Sequence, residues 1–80
     1  EPNSISYALL AQAYSAQNQL VKAYQVRAEQ YAGDGYYEYA IQQLTNALKL
    51  PDISSEVIRR LDAKIQIYKK QHQRDQLENL

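Results

Sequence analysis

His72 is the one imidazole in the 80-residue chain, and no cysteine accompanies it. Any metal site would therefore have to be built from His72 and carboxylates. Zinc needs several convergent ligands, and Asp75 and Glu78, three and six residues further on, make a poor cage. His72 is expected to be a solvated histidine near a helix end. Asp34 and Glu38 are the next pair that could do chemistry. Acid–base work needs a second group held opposite them in a pocket, whereas Asp34 sits between two turn glycines, where Asp commonly caps a helix. Ser54-Ser55 has no histidine near it in sequence and suits a helix cap. Gly33-Asp34-Gly35 lacks the Lys and the Ser or Thr of a phosphate-binding loop. No catalytic, cofactor-binding or metal-ligating residue is expected in this chain, which points away from an enzyme.

The charges lead in the same direction. Nine basic and nine acidic residues give a net charge of zero, against the basic surplus of an electrostatic nucleic-acid binder. Six cations, Arg59, Arg60, Lys64, Lys69, Lys70 and Arg74, do fall between residues 59 and 74, with Asp62 as the one acid among them. A nucleic-acid or anionic-membrane face is one account of them. The apolar stripe beneath is narrow, however, and residues 1–48 carry Lys22 and Arg27 against Glu1, Glu29, Asp34 and Glu38. The solvated outer face of a closing helix is the preferred account. No apolar run approaches the roughly 20 residues of a membrane span. With 45% hydrophobic residues, two Gly and two Pro, the composition excludes a linker or a disordered tail. The chain has no Met, and it is expected to be the C-terminal part of a longer protein.

Four helical stretches within a single domain spanning 1–80 are expected to hold these residues, making the fold all-α. The first covers about 4–17, with Leu9, Leu10, Ala13, Tyr14 and Ala16 at helical spacing. The second, 20–32, carries Ala23, Tyr24, Ala28 and Tyr31 and ends at the two glycines. The third, 36–50, carries Ala40, Ile41, Leu44, Ala47 and Leu48 and stops before Pro51. The fourth, 54–77, begins at a Ser54 cap and has one narrow stripe, Ile58, Leu61, Ile65 and Tyr68. Such a helix suits the end of a stack.

A repeat underlies these stretches. Shifting the chain by 17 residues superposes Tyr7 on Tyr24, Ala11 on Ala28, Tyr14 on Tyr31, Asn18 on Gly35 and Ala23 on Ala40. Two such steps equal the 34-residue period of the tetratricopeptide repeat. The small residues let helices approach, and the tyrosines fill the gaps beside them. Ala28, Tyr31, Gly35, Ala40, Leu44 and Ala47 give the best match to that pattern; Tyr7, Leu10, Ala11, Tyr14 and Asn18 also read as the first helix of a repeat. The two registers exclude one another, so inner and outer helices are not assigned. The expected architecture is an α-solenoid fragment of two antiparallel helix pairs, with the last helix long and capping.

A closer resemblance runs through Pro2-Asn3, Leu9-Leu10-Ala11-Gln12-Ala13, Asn18, Arg27-Ala28-Glu29, Tyr31-Ala32, Gly35 and Ala40-Ile41. It continues into Arg59-Arg60-Leu61-Asp62-Ala63-Lys64-Ile65. Over roughly residues 2–70 the chain resembles the C-terminal repeat region of periplasmic zinc metalloproteases of the β-barrel assembly-enhancing protease type. The resemblance implies a periplasmic, non-catalytic interaction module. Its partners would be the outer-membrane barrel assembly machinery, that machinery's clients and the parent's own protease domain. It also implies zinc held by a His-Glu-x-x-His helix in a catalytic domain outside this chain. The alternatives are a repeat adaptor of an unrelated assembly or secretion complex, and a module that pairs with its own copy.

Polar positions Gln12, Ser15, Lys22, Gln25 and Glu29 are expected to line a concave binding face. Tyr36, Tyr37 and Tyr39 are too close together to share one helix face, so at least one must point outward, as a contact site or at the edge of the core. If the module binds without a metal, adding zinc or a chelator leaves the thermal midpoint of this chain in place; a shift of several degrees makes His72 a ligand.

Overall fold

The structure, a computed structural model, describes residues 8–9, 19–51 and 53–79. Three helices organise them: α1, Leu20–Gly33; α2, Tyr37–Leu48; and α3, Ser55–Glu78. Among the described residues there is no strand, and the protein is all-α. Of the four expected helices, three are therefore seen. The first, over 4–17, lies outside the described residues save for Ala8 and Leu9, which are helical. Leu9 is 63% exposed.

The turn between α1 and α2 is closed by the main chain. Asp34 caps α1, and Gly35 follows at φ +83°. The Gly35 N–H donates to the Ala32 carbonyl at 3.0 Å and the Tyr36 N–H to the Tyr31 carbonyl at 2.9 Å. These two bonds satisfy carbonyls that every helix end would leave open, and the left-handed residue between them is the one for which Gly avoids a Cβ penalty. Tyr36 then stands as the N-cap of α2, without a side-chain cap. At its other end α2 stops at Leu48, two residues short of expectation. Lys49 is its C-cap, and Leu50 precedes Pro51, whose ring disfavours helical backbone before it. The Ser54 cap of α3 forms as expected, its Oγ accepting from the Val57 N–H at 3.2 Å.

The middle helix packs against both of its neighbours. One cluster unites Ala28 of α1, Ala40, Leu44 and Ala47 of α2, and Leu61, Ile65 and Tyr68 of α3, all buried. Tyr24, Tyr31, Ile41 and Leu48 are partly buried against it, in keeping with their expected faces. Ala23 is buried too, outside this cluster. Leu44 and Leu61 are its largest fully enclosed side chains, each contributing about 1.5–3 kcal/mol by leaving water. The stripe on α3 needs one correction. Ile58 is 37% exposed, and Val57 packs on the core instead. Val57 lies with Leu20 and Val21 of α1 along a shared cleft, which Ile58 does not line.

Ala40 has no exposed surface, so Ala40→Trp must push two helices apart. The expected loss is about 3 kcal/mol or more, seen as absence of a cooperative melt in circular dichroism. Gly35→Ala meets open space at its Cβ but keeps the left-handed backbone. It is expected to cost roughly 1–2 kcal/mol, lowering the midpoint by several degrees in the same measurement.

A cleft between α1 and α3 as the candidate functional site

Because α1 and α3 both rest on α2, a cleft opens between them above Leu44. Gln25, Ala28 and Glu29 come from α1, Leu44 lies at the bottom, and Arg60, Ala63, Lys64, Ile67 and Tyr68 come from α3; the cavity measures about 340 Å³. Buried Ala28, Leu44 and Tyr68 make the floor apolar. Ala28 matters by its size, since a larger side chain there would fill the space. The rim is polar. Gln25 and Glu29 stand one helical turn apart on α1, and Arg60 and Lys64 stand one turn apart on α3. The Lys64 Nζ lies 5.5 Å from the centroid of the Tyr68 ring, where the negative face of the ring attracts it. A second cleft of about 330 Å³, lined by Gln19, Leu20, Val21, Lys22 and Val57, shares Gln25 and Arg60 with the first and extends it along α1.

The tyrosines following Gly35 divide between two places. Tyr37 turns toward α3, its ring centroid 6.0 Å from that of Tyr68. Tyr36 and Tyr39, three residues apart, do share a face, with centroids 6.1 Å apart; Tyr39 also lies 5.4 Å from Tyr31. Both are more than half exposed. Two of the three therefore point outward while Tyr37 packs inward, so the three do not share one face, in keeping with the expectation that at least one points outward.

His72 is not a freely solvated helix-end residue. It is 31% exposed, and its Nε2 lies 3.0 Å from Oε1 of Glu38 in the first turn of α2. The contact fastens the second half of α3 to the start of α2, although a pair so open to water is worth at most about 1 kcal/mol. The cations of α3 are likewise not one outer face. Arg60 and Lys64 turn to the α1 side and line the cleft. Lys69 and Lys70 lie on another flank, with Ile41, Gln66, His72 and Gln73. Arg59 and Arg74 are exposed and line neither place.

Of the residues expected to line a concave face, Gln25 and Glu29 meet in the main cleft and Lys22 in its extension. Gln12 and Ser15 lie outside the described residues, as do the packing positions Tyr7, Leu10, Ala11 and Tyr14. Tyr36, Tyr37 and Tyr39 sit apart from the cleft. The whole α3 wall was missed. Arg60 and Lys64 flank the buried Leu61–Ile65–Tyr68 stripe at helical spacing, a signal present in the sequence. Which flank faces a neighbouring helix is decided by the packing of α1. Among the described residues no helix is long and apolar enough to cross a membrane. Comparison of the chain with protein-family models, curated proteins and solved structures finds no match in any of the three.

Proposed function

We propose that this chain is a protein-interaction module, an α-solenoid fragment of tetratricopeptide type that receives a segment of a partner in the α1–α3 cleft. One observation carries the proposal: an open cleft with an apolar floor and a rim of hydrogen-bonding side chains, held on rigid helices. Binding sites of this kind take most of their affinity from the floor and their orientation from a few polar groups. The spacing of α1 and α3 adds support, since Leu20 and Ser55 open them within one residue of the 34-residue period. Apart from the cleft, α3 carries Gln66, Lys69 and Gln73 on another, polar flank, in keeping with a capping helix. The module acts through affinity and local concentration rather than bond chemistry. Its wider setting is proposed on the sequence resemblance alone: a periplasmic zinc metallopeptidase of outer-membrane protein assembly, with the zinc domain elsewhere in the parent.

Display of random peptides against the immobilised 80-residue chain tests the cleft. Ala63 is exposed on the α3 wall, so Ala63→Trp obstructs the cleft without entering the core. Enriched peptides are expected to bind the wild type and to lose about tenfold or more in affinity with Ala63→Trp. Gln66→Trp, on the other flank, should leave them bound. Absence of enrichment, or equal binding to both variants, overturns the proposal.

A further inference from the structure

We infer that the segment received by the α1–α3 cleft is extended and acidic, with two carboxylates at alternate positions followed by an apolar residue. The inference rests on the cleft being the binding surface and adds the chemistry of what enters it. Among the described residues, Arg60 and Lys64 line the cleft on the α3 side and Glu29 on the α1 side. Arg60 and Lys64 thus set two cations side by side on the α3 wall of a chain with no net charge. Neither Arg60 nor Lys64 is in ion-pair contact with a carboxylate among the described residues. Glu29 stands on the opposite wall and leaves them available to a ligand. The Tyr68 ring holds the Lys64 ammonium beside the cleft, which lowers the cost of ordering it when an anion arrives.

Spacing turns this charge into a pattern. Residues four apart on a helix place their side chains about 5–6 Å from one another, so Arg60 and Lys64 form a short cationic row along the α3 wall. In an extended peptide, residues two apart point the same way and lie about 6.6–6.8 Å apart. An acidic–x–acidic step thus spans the row with one carboxylate for each cation. The next turn of α3 along the cleft is Ile67 and Tyr68, above Ala28 and Leu44, and the next alternate residue of the peptide falls there. An apolar side chain at that place covers Ile67, which is half exposed. Gln25, on the α1 wall, can donate and accept hydrogen bonds with the peptide main chain.

The composition of the enriched pool decides the matter. Acidic–x–acidic–x–apolar sequences are expected to dominate it, and their affinity to fall as salt is raised. The double variant Arg60→Glu/Lys64→Glu, both positions exposed, should retain the helical signal in circular dichroism. It should lose about tenfold or more for the acidic peptides and gain for their Lys-substituted counterparts. Lys69→Glu/Lys70→Glu makes the same change of charge on the other flank and should alter affinity by less than about twofold. An enriched pool that is neutral or basic and still sensitive to Ala63→Trp overturns the acidic assignment while leaving the cleft as the binding surface. Equal losses in the two charge-reversed variants overturn it as well, because attraction to overall charge then suffices. A pool with no enrichment at all removes the cleft itself.

Discussion

The alanine face of α2 is the contact on which the rest of the molecule depends. Ala40 and Ala47 are wholly enclosed and Leu44 lies between them, so the middle helix offers a nearly flat surface with one projecting side chain. Helices in contact through alanine approach toward the short end of the roughly 8–10 Å range of axis separations. That closeness lets a twelve-residue helix hold two partners at once. Leu44 keeps α1 and α3 from closing over it, and the space left above becomes the cleft. Core packing and the candidate site are in this sense one arrangement, since the same leucine serves as ridge for the first and floor for the second.

The sequence made the local structure legible wherever a local cause sets it. Two glycines around Asp34 mark the end of α1 because only a left-handed residue lets the open carbonyls be bonded by the following N–H groups. Ser54 marks the start of α3 because its hydroxyl accepts an N–H that helix geometry leaves free. The apolar positions of α1 and α2 show which side goes inward, and that side is the one enclosed. Where two placements are nearly equal in angle, the sequence is silent. Val57 and Ile58 lie on either side of the α3 stripe, and only the position of α1 selects the first for burial.

The candidate site was half visible for the same reason. Gln25 and Glu29 are polar residues beside the Ala23–Ala28 face, and both reach the cleft. Arg60 and Lys64 sit within a run of six cations whose members look alike in sequence. The helix distributes that run around its circumference, sending two toward α1, two to another flank and two into solvent. Counting charges gives the run a uniform meaning; the 100° step of the helix takes it away. His72 likewise gains its contact from Glu38, far away in the chain but near in the packing.

The tyrosine rings have a consequence for how the protein can be observed. With no Trp or Phe in the chain, every aromatic optical signal comes from tyrosine. The rings of Tyr31, Tyr36 and Tyr39 lie near one another at the end of α1, and those of Tyr37 and Tyr68 couple α2 to α3. Rings fixed in such pairs give near-ultraviolet dichroism that freely rotating phenols do not, and that signal vanishes when packing loosens while helices remain. The chain thus carries its own unlabelled gauge of helix docking, with separate rings reporting on each of the two helix junctions.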